Sequence, residues 1–290
     1  ALIALANGVQ VAIMAPTEIL TTQHYAFFSQ YLQGVGIEVG MLTGSLGVAQ
    51  ARDVREGIAN GRIQLIIGTH AIIQDSVEFH NLGYVVIDEQ HRFGVGQRIN
   101  LRNKGQRPHL LVMTATPIPR TMALTLYGDL DVSVLDEMPP GRKPVHTELF
   151  PSAEASRAYS VIRNHVEKGQ QVYIVYPLVE ESEKLDLRSA TEMFTWLQEH
   201  HLKGVSMGLV HGRLASDEKH AVIKKFRNGD IKVLVSTTVI EVGVDVPDAT
   251  VMVVEHAERF GLSQLHQLRG RVGRGGQQGY CYLMTDEDPT

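Results

Sequence analysis

The stretch Tyr84-Val85-Val86-Ile87-Asp88-Glu89-Gln90-His91 decides the fold. Its apolar, mostly β-branched start reads as a strand buried on both faces. Strands of that kind belong to parallel sheets with helices on each side, and such sheets bind ligands beyond the carboxyl ends of their strands. Asp88 and Glu89 stand at such an end, where Mg²⁺-nucleotide chemistry needs carboxylates. Asp88 would hold the ion, mainly through water, and Glu89 would position and deprotonate an attacking water. The same pair would also suit an ordinary helix start, because acids favour a helix N-terminus. His91, taken alone, reads as a structural histidine.

Working outward, similar short apolar runs recur at Val9–Ala15, Ile37–Leu42, Ile63–Gly68 and Leu110–Thr114. Amphipathic stretches at Glu18–Leu32, Val48–Asn60 and Pro117–Tyr127 separate them and read as helices, with Asn60-Gly61 closing the second. The run Glu137-Met138-Pro139-Pro140-Gly141-Arg142-Lys143-Pro144 then breaks the pattern, because three prolines and a glycine continue neither a helix nor a central strand. We read 139–144 as a hinge between a first domain, 1–138, and a second, 145–290. In the second domain Val145–Phe150, Gln171–Tyr176, Val205–Val210, Ile231–Ser236, Thr250–Glu255 and Tyr280–Met284 are expected as strands. Ala153–Lys168, Ser189–His201, Ser216–Asn228 and Ser263–Arg271 are expected as helices. The fold class is α/β, two tandem domains, each a mostly parallel sheet flanked by helices.

The chain has 290 residues, 43% hydrophobic and 20% charged, which is ordinary globular composition able to bury two cores. The single cysteine, Cys281, excludes an intramolecular disulfide and a cysteine-rich zinc site, and fits a reducing cytoplasm. No run is long and apolar enough for a membrane helix, and no basic leader begins the chain. A net charge of −5 lacks the overall basic footprint of a nucleic-acid binder. It leaves room for a groove built from local Arg, Thr and backbone N–H donors.

Other strand ends carry polar groups as well. Thr114-Ala115-Thr116-Pro117 offers two hydroxyls: Thr116 and Pro117 fit a helix cap, and Thr114 is left to bond the acidic pair. Gln267, Arg271 and Arg274 have the spacing of one helix face, and arginines there could stabilise a γ-phosphate. The alternative is a basic patch at a helix C-terminus. Ser236-Thr237-Thr238 and the following Gly243 and Asp245 offer hydroxyls, backbone donors and a carboxylate. Pro16-Thr17, Gly44-Ser45, Thr69-His70 and Gly212-Arg213 are small polar turns after strands, each equally readable as a helix cap. No Gly-x-x-x-x-Gly-Lys-Ser/Thr phosphate loop occurs anywhere in the sequence.

Taken in order, these segments resemble motifs Ia, Ib, II, III, V and VI of superfamily 2 helicases. Asp88–Val95, Gly68–Gln74, Met113–Thr121, Phe260–Arg271, Pro139-Pro140-Gly141-Arg142 and Pro177–Glu183 are similar in wording to the RecG family over essentially the whole chain. Gly96 departs from it, standing where a polar or charged residue is expected. The resemblance implies two RecA-like domains and an ATP- and Mg²⁺-dependent translocase on branched double-stranded DNA, reversing stalled forks and migrating Holliday junctions. It implies a bacterial cytoplasmic monomer at the nucleoid, with single-strand-binding protein as a partner. It makes Asp88, Glu89, Gln267, Arg271 and Arg274 catalytic. Nucleotide contacts then come from Asp88, Glu89, His91, Thr114, Thr116, Gly243, Asp245, Arg271 and Arg274, with Asp88 on the metal. DNA contacts come from Pro16, Thr17, Gly44, Ser45, Thr69, His70, Gly212, Arg213, Thr237 and Thr238. It further implies a phosphate loop and wedge domain upstream and a hook downstream. The 290 residues alone are then expected to be inactive or nearly so, and prone to aggregate at an open sheet edge. The alternatives are a transcription–repair coupling translocase of the Mfd family and a two-domain interaction module without ATP hydrolysis.

Overall fold

The computed structural model describes residues 1–89, 104–105, 107–115, 131–138, 140–177, 191–237, 246 and 248–286. The chain divides into two compact units, Ala1–Arg120 and Thr121–Thr290. The dividing point falls within 116–130, which lies outside the described residues, as does the helix expected at Pro117–Tyr127.

The first unit opens with a short helix, α1 (Leu2–Ala6). Five strands follow: β1 (Gln10–Met14), β2 (Val39–Leu42), β3 (Leu65–Gly68), β4 (Leu82–Ile87) and β5 (His109–Val112). They form one parallel sheet in the order β2-β3-β1-β4-β5. Helices α2 (Glu18–Tyr31) and α3 (Val48–Ala59) make crossovers. Every residue of β1 and β3 is buried, as their unbroken apolar runs require. The two sheet faces nucleate separate clusters. Ala12, Met14, Ile66, Val85 and Ile87 lie in one, and Val11, Ile13, Leu65, Ile67 and Val86 in the other. That split is the two-residue period of a strand.

The second unit has six parallel strands: β6 (His146–Pro151), β7 (Gln171–Tyr176), β8 (Met207–Val210), β9 (Val233–Thr237), β10 (Ala249–Val254) and β11 (Tyr280–Thr285). Their order is β6-β11-β10-β7-β9-β8. Read from the other end, β8-β9-β7-β10-β11 repeats the first sheet's β2-β3-β1-β4-β5, with β6 added beside β11. Helices α4 (Ala155–Glu167), α5 (Ser216–Arg227) and α6 (Leu262–Arg269) belong to this unit. A helical stretch from 191 runs into a π-helical turn, Leu197–His201.

Side chains repeat the correspondence. Gln10, at the start of β1, donates through Nε2 to the Ile58 and Ile63 carbonyls at 2.9 and 2.8 Å and accepts from the Asn81 N–H at 2.9 Å. Gln171, at the start of β7, donates to the Phe226 carbonyl and, at 3.1 Å, to that of Ile231. Each buried amide ties the end of a helix, α3 or α5, and the loop after it to the start of the strand that carries the glutamine.

All the strands expected from sequence are present, with ends shifted by a few residues. The last helix differs in a way that matters. α6 stops at Arg269, with Gly270 as its C-cap, so Arg271 and Arg274 lie beyond the helix rather than on its face.

Candidate nucleotide and nucleic-acid site

In the first unit the carboxyl ends of the strands are joined by a run of backbone hydrogen bonds. The Thr69 N–H donates to Leu42 O (3.2 Å), Ala15 to Gly68 O (2.9 Å), Asp88 to Met14 O (2.9 Å) and Met113 to Ile87 O (2.9 Å). The turns after β2, β3, β1, β4 and β5 therefore stand side by side. Gly44-Ser45, Thr69-His70, Pro16-Thr17, Asp88-Glu89 and Thr114 follow one another along a single edge.

Asp88 is held from two sides. One carboxylate oxygen accepts the Glu89 backbone N–H at 2.9 Å, and the other lies 3.1 Å from His24 Nε2. Its side chain is 21% exposed. Glu89 adopts a left-handed backbone (φ 49°), an unfavourable conformation for a residue with a Cβ. That turn folds its amide back onto Asp88, and its own carboxylate approaches the Ala115 N–H at 3.5 Å. Thus a backbone N–H of the loop after β5, next to Thr114, reaches the acidic pair.

This donor set fits a hydrated Mg²⁺ ion. It supplies one positioned, part-exposed carboxylate and a second acid beside it, and Mg²⁺ takes few protein ligands while keeping its waters. His24, on α2, is a member of the site that sequence reasoning missed. Its signal was available only as a histidine on the helix following Pro16-Thr17, and nothing in the spacing pointed it at Asp88.

At the other end of the same edge, Thr17 caps α2, accepting the Leu20 N–H at 3.3 Å. Glu18 accepts the Ser45 N–H at 3.0 Å, which draws the exposed Gly44-Ser45 turn onto the start of α2. Thr69 is buried and precedes a 3₁₀ turn (His70–Ile73), and His70 is exposed. Gly68 cannot be replaced freely, because a Cβ there would sit 2.2 Å from Leu42 O.

The second unit places Gly212 and Arg213 on an exposed turn after β8. Lys219, on α5, donates to the Gly212 carbonyl at 2.7 Å, adding a cation that the sequence reading did not include. Burial, with Lys219 and Arg213 nearby, lowers the His211 pKa and favours its neutral form. Thr237 closes β9 and is buried. His91, Thr116, Thr238, Gly243 and Asp245 lie outside the described residues.

Gln267 lies in the last turn of α6, and the arginines occupy the ten-residue turn that follows. Val272, fully buried, anchors that turn between Arg271, which is half-buried, and Arg274, which is exposed. The turn delivers the chain to the amino end of β11, whose first residue, Tyr280, pairs with Val251 and His146. The arginine turn thus sits at the amino edge of its sheet, away from the carboxyl edge favoured for ligands in open α/β folds.

Two like-ordered parallel sheets, an acidic strand-end pair and a glycine-rich arginine turn define tandem RecA-like domains of the helicase class. Residues 1–125 match the DEAD/DEAH box helicase family and residues 155–276 the helicase conserved C-terminal domain. The chain is homologous over nearly its whole length to bacterial proteins named ATP-dependent DNA helicase RecG. It is 55% identical to the ATP-dependent DNA helicase RecG of Synechocystis sp. over 98% of this chain and 34% of that protein. It is 50% identical to the same-named protein of Escherichia coli O157:H7, over 98% of this chain and 42% of the relative. A solved structure of RecG bound to a three-way DNA junction aligns with a TM-score of 0.76 at 50% identity, covering 97% of this chain and 36% of that one. Yeast Dbp5 bound to RNA and ADP BeF3 aligns with a TM-score of 0.72 at 18% identity, over 97% of this chain and 72% of that one, which shows the shared fold. The chain spans 34% and 42% of the length of these two curated RecG relatives. Among the described residues no helix is long and apolar enough to cross a membrane.

Proposed function

We propose that this chain is the motor core of an ATP-dependent DNA translocase acting on branched double-stranded DNA, serving fork reversal and Holliday-junction migration. The observation that carries the reading is the Asp88–Glu89 turn, fixed at a strand end by His24 and by its own left-handed backbone. Support comes from the relatives named ATP-dependent DNA helicase RecG and from the solved RecG bound to a three-way DNA junction.

In this reading Asp88 holds Mg²⁺ through water, and the ion neutralises phosphate charge when bound. Glu89 orients the attacking water and takes its proton. Gln267, Arg271 and Arg274 supply donors to the nucleotide's phosphates, and arginine donors of this kind are worth roughly 10³–10⁵ in rate. Pro16, Thr17, Gly44, Ser45, Thr69 and His70 in one domain, with Gly212, Arg213, Thr237 and Thr238 in the other, serve the DNA backbone, which carries little sequence information. Residues 139–144 serve as the hinge. His91, Thr114, Thr116, Gly243 and Asp245 complete the nucleotide contacts. The motor works as a monomer in the bacterial cytoplasm, with single-strand-binding protein as a partner.

The test is ATP hydrolysis by the full-length protein with and without fork DNA, comparing wild type with Glu89→Gln. Stimulation by the fork, abolished in the variant, supports the reading. A protein that binds forks yet never hydrolyses ATP would make these motifs an interaction scaffold.

A further inference from the structure

The ten-residue turn carrying Arg271 and Arg274 is built against residues 142–146, from the end of the linker to the first residue of β6. Arg142 Nη2 donates to the Gly270 carbonyl at 2.8 Å, and Arg274 Nε donates to the same oxygen at 3.1 Å. That carbonyl ends α6, where helix partial charge is negative and two cations can share one acceptor. Further along, Gln278 Nε2 donates to the Pro144 carbonyl at 2.7 Å, and the His146 N–H donates to the Gly279 carbonyl at 2.9 Å. Gly273 (φ +70°) and Gly279 meet so closely that a Cβ on Gly279 would lie 3.2 Å from Gly273, and also 3.2 Å from Val145. This segment thus closes one side of the turn at both its ends.

We propose that Arg142 is a positioning residue for Arg274, so that the linker sets the aim of the arginine turn. A carbonyl oxygen has two lone pairs. With Arg142 on one of them, Gly270 offers Arg274 a single remaining direction, and the Arg274 side chain leaves the helix end at a defined angle. Without Arg142, both lone pairs of the Gly270 carbonyl are open to Arg274. The inference rests on the functional reading above, in which Arg274 acts on nucleotide phosphate.

The experiment uses full-length protein with Arg142→Gln, Arg142→Lys, Arg274→Ala and the Arg142→Gln/Arg274→Ala double variant. Fork-stimulated ATP hydrolysis, fork binding and thermal melting are measured for each. Misplacing a catalytic group by about 1 Å can cost roughly a hundredfold. Arg142→Gln is therefore expected to lower kcat by about tenfold or more, with the KM for ATP, fork affinity and melting temperature held. Arg142→Lys, which keeps a charge and a donor, recovers part of the rate. The double variant is no slower than Arg274→Ala alone, because residues acting as one unit are non-additive. Wild-type turnover in Arg142→Gln, or multiplying losses in the double variant, overturns the proposal. So does a rate loss matched by falls in melting temperature and fork affinity in both Arg142 variants. Wild-type turnover in Arg274→Ala instead overturns the functional reading itself.

Discussion

His24 Nε2 lies 3.1 Å from Asp88 Oδ2, and this contact ties the helix after β1 to the acid after β4. The remaining Asp88 oxygen accepts the Glu89 N–H. The carboxylate is therefore oriented by one side chain and one backbone amide, and removing the side chain lets it turn. Groups that orient a metal-binding carboxylate typically matter about 10- to 100-fold in metal affinity or activity. His24→Ala is expected to raise the Mg²⁺ concentration for half-maximal fork-stimulated ATP hydrolysis by a factor in that range, with fork affinity unchanged. A Mg²⁺ titration identical to wild type would reduce the contact to packing.

The paired glutamines predict a matched loss of stability. Gln10 and Gln171 are 4% and 3% exposed, and each serves two buried carbonyls. Replacing either by Leu strands those acceptors in an apolar interior, and each unsatisfied group costs about 1–3 kcal/mol. Gln10→Leu and Gln171→Leu should each lower unfolding free energy by about 2–5 kcal/mol. Denaturant titration followed by circular dichroism checks this. A midpoint unchanged for either variant means that water or a shifted backbone satisfies the carbonyls.

Gly68 predicts a sharper failure. It pairs with both Met14 and Leu42 in the sheet, and its missing Cβ points at Leu42 O, 2.2 Å from where that atom would lie. The obstacle is backbone, so a side chain cannot be accommodated by a rotamer change. Gly68→Ala is expected to cost at least about 1–3 kcal/mol, as overpacking does, and Gly68→Val more. Equal melting temperatures for wild type and Gly68→Ala would show that the β2–β3 edge yields.

The sheets were legible because their strands are buried on both faces. Val11–Met14, Ile66-Ile67 and Val172–Val175 read as unbroken apolar runs for that reason. Asp88, Glu89 and the arginines stood out as residue types, although acids after a buried strand equally suit an ordinary helix start. Their geometry was less so. The spacing of Gln267, Arg271 and Arg274 suits one helix face, yet α6 ends at Gly270 and Val272 turns inward to fill the core. A glycine that can stop a helix leaves no mark distinguishing it from one within a helix until the next side chain is seen to be buried. His24 and Arg142 were invisible as partners because their contacts span 64 and 128 residues of chain. Only the strand order brings such distant positions together.

Glu255 predicts a pH dependence of stability. It follows β10, is 6% exposed, and accepts the Tyr159 hydroxyl at 2.8 Å. Burial raises its pKa from 4.5 to about 6, against the smaller opposing pull of the Tyr159 hydrogen bond and His256. The folded state therefore holds the proton more tightly than the unfolded chain. Below pH 4.5 the acid is neutral in both states and carries no penalty. As pH rises through about 6, the folded protein must accommodate a buried charge, and the stabilising contribution of the neutral form is lost. A displacement of this size corresponds to about 2 kcal/mol. Glu255→Gln keeps an acceptor for Tyr159 and removes the charge. Its melting temperature relative to wild type should rise between about pH 4.5 and pH 7 and then level off. A difference independent of pH across that window would mean that Glu255 ionises in the folded protein as it does in the unfolded chain. The hydroxyls of Tyr159 and Tyr176, both pushed upward in pKa by burial and by the Glu255 charge, stay protonated throughout it.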